Sequence, residues 1–201
     1  MIIWLASYPK SGNTWIRSML AALEYTDDGI YNPKCLNYIG RFPSKKQFRS
    51  FTNKFRDIHE LKKLWCAVQD QLNLDQKIKY FKTHHLNCKI DNFSFTNIEN
   101  TLATIYIIRD PRNVVTSLAN HYSLSIKEAK DRMFVPFASG LQNTENDDYT
   151  VDLIGSWGDH VKSWTSINNN ILIIKYEDLI NNIKKELNKI IMFINKFKKL
   201  K

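Results

Sequence analysis

The chain predicts an α/β domain, a P-loop-like three-layer fold with a central parallel sheet flanked by helices. Three observations carry this expectation. Four short apolar or β-branched runs, residues 2–6, 79–83, 104–108 and 171–175, show little of the alternation of a half-exposed strand, as parallel strands covered on both faces do. Helical patterns lie between them, which is the order of a parallel α/β sheet. The residues with the most chemistry stand where those runs end, and ligands bind at the carboxyl ends of strands in such sheets.

The first run, Ile2-Ile3-Trp4-Leu5-Ala6, feeds the turn Tyr8-Pro9-Lys10-Ser11-Gly12-Asn13-Thr14-Trp15. A helix over 14–25 follows, with Trp15, Ile16, Met19, Leu20 and Leu23 at helical spacing. The first amides of a helix lack intrahelical acceptors and sit at the positive end of its dipole, so they attract anions. Gly12 lets the backbone approach a phosphate, Lys10 adds a mobile charge, and Ser11 and Thr14 offer hydroxyl donors. This is a phosphate cradle but not a Walker A loop, because the lysine precedes the only glycine of the turn. An ordinary strand-to-helix turn is the alternative.

Residues 29–54, rich in Tyr, Phe, Asn and Lys, have no clear period and are expected to cover the site. A helix is predicted over 57–72. The strand at 79–83 runs into Lys82-Thr83-His84-His85. On an extended chain Lys82 and His84 point one way, Thr83 and His85 the other. A lysine beside an imidazole suits proton removal next to growing negative charge, and by residue type either histidine can be the base.

After the strand at 104–108, Asp110 is a natural N-cap and Pro111 fits the first helical position. Arg109 can fork onto a phosphate, and Ser117, about two turns into the helix, can reach the same group. A plain strand–helix junction is the alternative, and Arg112 reads as a helix-surface residue. Helices follow over 112–121 and 126–133, then a polar segment at 139–150 expected to be a mobile surface loop. In the helix predicted over 151–167, Trp157, Val161 and Trp164 share a core-facing side, and His160 reads as structural. The last strand, 171–175, leads to a helix over 178–197.

At 201 residues, with 43% apolar and 24% charged residues, the chain suits one globular domain. The formal charge of +9 points to nucleic acid, a membrane surface or an acidic small molecule. Seven lysines between Lys184 and Lys201 contribute to it, and such a run is usually a solvated face. No nucleic-acid-binding motif accompanies the charge, so no nucleic-acid partner is expected. Cys35, Cys66 and Cys88 form no Cys-x-x-Cys pair, which argues against a disulfide frame or zinc site. The short apolar start has no basic leader, and no run reaches the roughly 18–20 apolar residues of a membrane span. The expectation is a soluble cytoplasmic protein with no membrane partner.

The order Tyr-Pro-Lys-Ser-Gly-x-Thr-Trp resembles the 5′-phosphosulfate loop of the cytosolic-type sulfotransferases, whose donor is 3′-phosphoadenosine 5′-phosphosulfate (PAPS). The resemblance continues in order along the chain. Lys82-Thr83-His84 is similar to the family's Lys-Thr-His motif; this implies His84 as general base, in preference to His85, with Lys82 as a supporting charge. Arg109 and Ser117 stand at the spacing of the arginine and serine that hold the donor's 3′-phosphate. Residues 155–164, Gly-Ser-Trp-Gly-Asp-His-Val-Lys-Ser-Trp, and the strand ending in Tyr176-Glu177-Asp178-Leu179 also match family motifs. The latter implies that Tyr176 contacts adenine, and Trp15 is assigned to stacking on that ring.

The resemblance thus implies catalytic roles for Lys10, Lys82 and His84, with Lys10 stabilising the leaving phosphate oxygen. It implies donor binding by Lys10, Ser11, Gly12, Asn13, Thr14, Trp15, Arg109, Ser117 and Tyr176, and requires no metal. Family members continue to an Arg-Lys-Gly-x-x-Gly-Asp-Trp segment that completes the 3′-phosphate site. That stretch does not occur here, so a single C-terminally short domain over 1–201 with weakened donor binding is expected. The implied activity is transfer of a sulfuryl group from PAPS to a hydroxyl or amine of a small-molecule acceptor. A degenerate, non-catalytic PAP- or PAPS-binding protein is the alternative. A P-loop-type kinase is disfavoured by the absent Gly-Lys-Ser/Thr order.

Overall fold

The computed structural model describes residues 1–140, 148–166 and 170–198. In chain order these form β1 (Ile2–Ser7), α1 (Asn13–Tyr25), a 3-10 turn (Pro33–Tyr38), β2 (Gly40–Arg41), α2 (Lys45–Phe48), α3 (Ile58–Asn73) and β3 (Lys79–Thr83). Then come β4 (Lys89–Ile90), β5 (Phe93–Ser94), β6 (Thr101–Ile108), α4 (Pro111–Tyr122), α5 (Ile126–Phe134), β7 (Ala138–Ser139) and β8 (Asp152–Leu153). The chain continues through α6 (Trp157–Thr165), β9 (Ile171–Lys175), α7 (Tyr176–Asn181) and α8 (Ile183–Lys198).

The main sheet has the order β2-β3-β1-β6-β9 with every pair parallel. All six residues of β1 are buried, because this central strand is covered on both faces. Ile3 and Leu5 pack with Ile105, Ile107 and Ile174 under α1, α7 and α8. Ile2, Trp4 and Ala6 face the opposite layer, where Trp65 of α3, Trp164 of α6 and Phe42, Phe48 and Phe95 meet. The period-two alternation of a buried strand thus divides the core into the two layers flanking the sheet.

Several predicted boundaries move. The segment 29–54, read as aperiodic, contributes the edge strand β2, with Arg41 beside Lys82 in register. The helix expected over 151–167 begins only at Trp157. Gly155 takes a left-handed φ of 70°, Ser156 caps the Asp159 amide, and residues 152–153 pair with β7 instead. The helix expected over 178–197 starts at Tyr176 and breaks at Asn182, whose side chain accepts the Lys185 amide and starts α8. The ends of the segment 139–150 are tied down, Ser139 in β7 and Tyr149 in a bridge to Ser44; residues 141–147 lie outside the described residues.

Candidate active site

A cavity of about 1120 Å³ opens over the carboxyl ends of the parallel strands. One wall is the loop that β1 feeds into α1. Two left-handed residues shape that loop, Lys10 (φ 67°) and Gly12 (φ 93°). The Gly12 carbonyl accepts the amides of Trp15 and Ile16, at 3.0 and 3.4 Å, and so starts the helix. Lys10, Gly12, Thr14 and Trp15 all line the cavity. Two of the expected donor-binding residues are placed differently. Ser11 is only 1% exposed and absent from the cavity wall, and its hydroxyl has no partner among the described residues. Asn13 reaches the cavity, but its amide donates to the Leu5 carbonyl (2.9 Å) and the Ser7 hydroxyl (3.2 Å). That side chain ties the loop to the strand.

Arg109, one residue beyond β6, faces the loop. Its guanidinium donates to the Lys10 carbonyl at 2.8 Å and lies 4.4 Å over the Tyr176 ring. Glu177 accepts the Asp110 amide at 3.0 Å, while Asp110 caps α4 at the Arg112 amide. Arg112 itself is exposed and paired with Asp110, a surface residue as expected from its position. Ser117 lies on the α4 face that lines the cavity. Trp15 meets Tyr176 edge-on at 6.0 Å, so the two aromatics assigned to adenine stand together.

Across the cavity, Lys82 and His84 enter from the end of β3. His84 Nδ1 is 2.7 Å from the Ser7 carbonyl, an acceptor, so Nδ1 carries the proton and Nε2 is the basic nitrogen. Burial holds the His84 pKa well below the usual imidazole range, and the Lys82 charge lowers it further; the Ser7 bond opposes both. Lys82 is itself lowered to about 8, first by burial and then by repulsion from Arg41 and Arg17, against the pull of Asp152. His85 is fully buried behind this wall, its ring stacked 4.1 Å from Phe95. His160 is buried too, with Nε2 3.1 Å from the His84 carbonyl and Nδ1 2.9 Å from the Tyr106 hydroxyl. It braces the backbone that carries His84.

Three cavity residues were not singled out by sequence reasoning. Arg41 pairs with the fully buried Asp152 at 2.5 Å and lies 4.4 Å over the Tyr149 ring. Arg132 of α5 lies over Tyr122 and Phe137. Asp152 carried a usable signal, an acid between Val151 and Leu153, because an acid in an apolar run needs a buried partner.

A glycine-bearing strand-to-helix loop, an arginine at a strand–helix junction and an imidazole at a third strand end share one cavity of an α/β domain. The sulfotransferase domain matches residues 2–199, and the chain belongs to that family. It is 25% identical to rat Sulfotransferase 1A1 over 194 residues, covering 96% of this chain and 59% of that protein. It is 28% identical over 200 residues to rat Sulfotransferase 1E1, with 96% and 58% covered. The 3-alpha-hydroxysteroid sulfotransferase of Cavia porcellus is 28% identical over 195 residues, with 94% and 57% covered. The chain therefore spans 57–59% of the length of these relatives. Two solved structures share the fold. Mouse sulfotransferase SULT7A1 complexed with PAP has a TM-score of 0.51 at 20% identity, covering 96% of this chain and 57% of that one. Retinol dehydratase in a complex with retinol and PAP has a TM-score of 0.55 at 18% identity, covering 96% and 59%. No described helix is long and apolar enough to cross a membrane.

Proposed function

We propose that this chain, read as one domain over 1–201, transfers a sulfuryl group from PAPS to a hydroxyl or amine of a small-molecule acceptor. The observation that carries the reading is the bond between the Ser7 carbonyl and His84 Nδ1. It leaves Nε2 as the basic nitrogen of a residue that lines the same cavity as the phosphate loop, and Ser7 itself ends the strand that leads into that loop. PAP in both solved neighbours supports PAPS as the donor, and the retinol and hydroxysteroid in the printed names support an alcohol acceptor.

The residues present fit such a donor. The cavity gathers Lys10, Lys82 and Arg109, and the Arg109 Nε is a buried donor without a partner among the described residues. PAPS supplies the activated sulfuryl group. Arg109 and Ser117 are suited to its 3′-phosphate, the α1 amides with Lys10 and Thr14 to its 5′ side, and Trp15 and Tyr176 to adenine. His84 Nε2 takes the acceptor's proton as the acceptor oxygen bonds to sulfur. Lys10, helped by Lys82, stabilises the electron pair left on the phosphate oxygen when its bond to sulfur breaks. A cytoplasmic setting belongs to this reading, in keeping with three free cysteines. Calorimetric titration tests it: PAP should bind, and 5′-AMP, which lacks the 3′-phosphate, at least about tenfold more weakly. Equal affinities would overturn the reading.

A further inference from the structure

Three arginines of the cavity each rest on an aromatic ring, and two of them also make a polar bond within the fold. Arg41 is paired with Asp152, and Arg109 faces the phosphate loop. Arg132 differs. Its guanidinium is 4.8 Å from the Tyr122 ring centre and 5.4 Å from that of Phe137. It has no carboxylate, carbonyl or hydroxyl partner among the described residues, yet it lines the cavity. Glu128, one turn earlier on α5, is held at the helix start by the Ser125 amide at 2.7 Å. The guanidinium is thus a preset fork, oriented by two rings and left to be satisfied from the cavity.

We infer that Arg132 is the anchor for a carboxylate on the acceptor. The inference rests on the proposed transferase reading and gives its acceptor a chemical class, a hydroxyl compound bearing an acidic group. Position favours the acceptor over the donor. The Phe137 carbonyl accepts the amides of Ile154 and Gly155, which makes the ring under Arg132 part of the wall that continues to Asp152. Tyr122 is the last residue of α4, whereas Arg109 precedes its first turn; the helix between is about 18 Å long. In the proposed reading Arg109 holds the donor's distal phosphate before the first turn of this helix, with Ser117 about midway along it. An arginine fork meets a carboxylate through two parallel bonds, which a neutral acceptor cannot offer.

The test compares para-hydroxyphenylacetate with para-cresol, which differ by the carboxylate, in calorimetric titrations with and without saturating PAP. The acid should bind at least about tenfold tighter than the cresol to the native protein. Arg132→Gln should abolish that preference, Arg132→Lys should keep part of it, and PAP affinity should be unchanged in both, which also shows that the variants are folded. No preference for the acid, or a preference that survives Arg132→Gln, would overturn the inference. A loss of PAP affinity in Arg132→Gln would overturn it too, by placing the arginine on the donor. Native protein that binds the acid but not PAP would leave the anchor standing and remove the transferase reading.

Discussion

Gly12 and Tyr176 pack so closely that a Cβ built on Gly12 would lie 2.4 Å from the tyrosine ring. The same ring carries the Arg109 guanidinium on its face and Trp15 at its edge. The phosphate loop, the end of β6 and the first residue of α7 therefore meet at one missing side chain. A glycine in such a loop is expected to admit a phosphate; here it also admits a tyrosine, and the two demands coincide.

Gly12→Ala should accordingly be costly twice over. A left-handed φ costs a residue with a Cβ about 1–2 kcal/mol, and the ring must also move. Urea denaturation should show a loss above the φ contribution alone, and titration should show weakened PAP. Placing Gly12→Ala in a Tyr176→Ala background should recover the ring contribution but not the φ contribution. A coupling of about 0.5–3 kcal/mol is expected from residues in contact. Strict additivity would show that the ring is not what Gly12 accommodates.

Arg109→Ala should separate the two ends of the nucleotide. Its guanidinium now bonds the Lys10 carbonyl, a neutral acceptor that a phosphate outcompetes in charge. PAP affinity should fall by about one to two decades, and 5′-AMP affinity much less. Equal losses for both would mean that the arginine supports the loop through Lys10 and does not hold the 3′-phosphate.

The sheet was legible because its strands are apolar runs and its first helix has a clean apolar face. The edge strand β2 was not, since two residues carry no period and Gly40–Arg41 is defined by pairing with β3. The start of α6 was overextended because Val151, Leu153 and Ile154 read as helical, while a left-handed Gly155 ends any such continuation. Within the site, Lys10, Lys82, His84, Arg109, Ser117 and Tyr176 converge because each stands at a strand end or in the helix that follows it. The Arg41–Asp152 pair spans 111 residues of sequence, a distance at which no local pattern reports a partner. The burial of the Ser11 and Asn13 side chains was not legible, because a motif shows which residues form a loop, not which side chains the loop buries.

Acidification should destabilise the fold through two buried histidines behind the cavity wall. His85 and His160 are both fully buried and held neutral, with the His160 pKa lowered to about 3 chiefly by burial. Their folded pKa values lie below that of an unfolded histidine, so the unfolded chain binds more protons. Their stabilising effect is complete above about pH 6.5 and is lost as pH falls below it. At pH 5 a His160 that stays neutral in the fold costs up to about 2 kcal/mol. Urea midpoints should decline from pH 7 to 5, and His160→Gln should flatten that decline. An unchanged pH slope in the variant would remove His160 from the account.

Lys82 sets the opposite limit. With its pKa lowered to about 8, it loses charge in a range where an ordinary lysine stays protonated. Transfer should weaken above about pH 8 as that support disappears. Lys82→Arg, which keeps its charge, should carry the decline to higher pH. An identical alkaline limb in native protein and variant would assign the decline to another group.

The base makes the sharpest distinction, because two adjacent histidines have opposite surroundings. His84 shares the cavity with Lys82 and has its Nδ1 fixed on Ser7, whereas His85 is stacked on Phe95 with Nδ1 2.6 Å from the Leu86 carbonyl. His84→Ala should lower sulfuryl transfer from PAPS to a phenol by at least about 10²-fold, the effect of a positioned acid–base group. PAP affinity should hardly change, since His84 stands on the acceptor side. His85→Ala should do the reverse, destabilising the core by opening a cavity beside Trp65 and Phe95 while the folded fraction keeps its turnover. Because burial and Lys82 keep His84 neutral, the native rate should also stay level between pH 6 and 7, where an unperturbed imidazole would titrate. An acid limb near pH 6.5 that persists in His84→Ala, or a turnover that His84→Ala leaves intact, would place the base elsewhere in the cavity, with His121 of α4 the next imidazole on its wall.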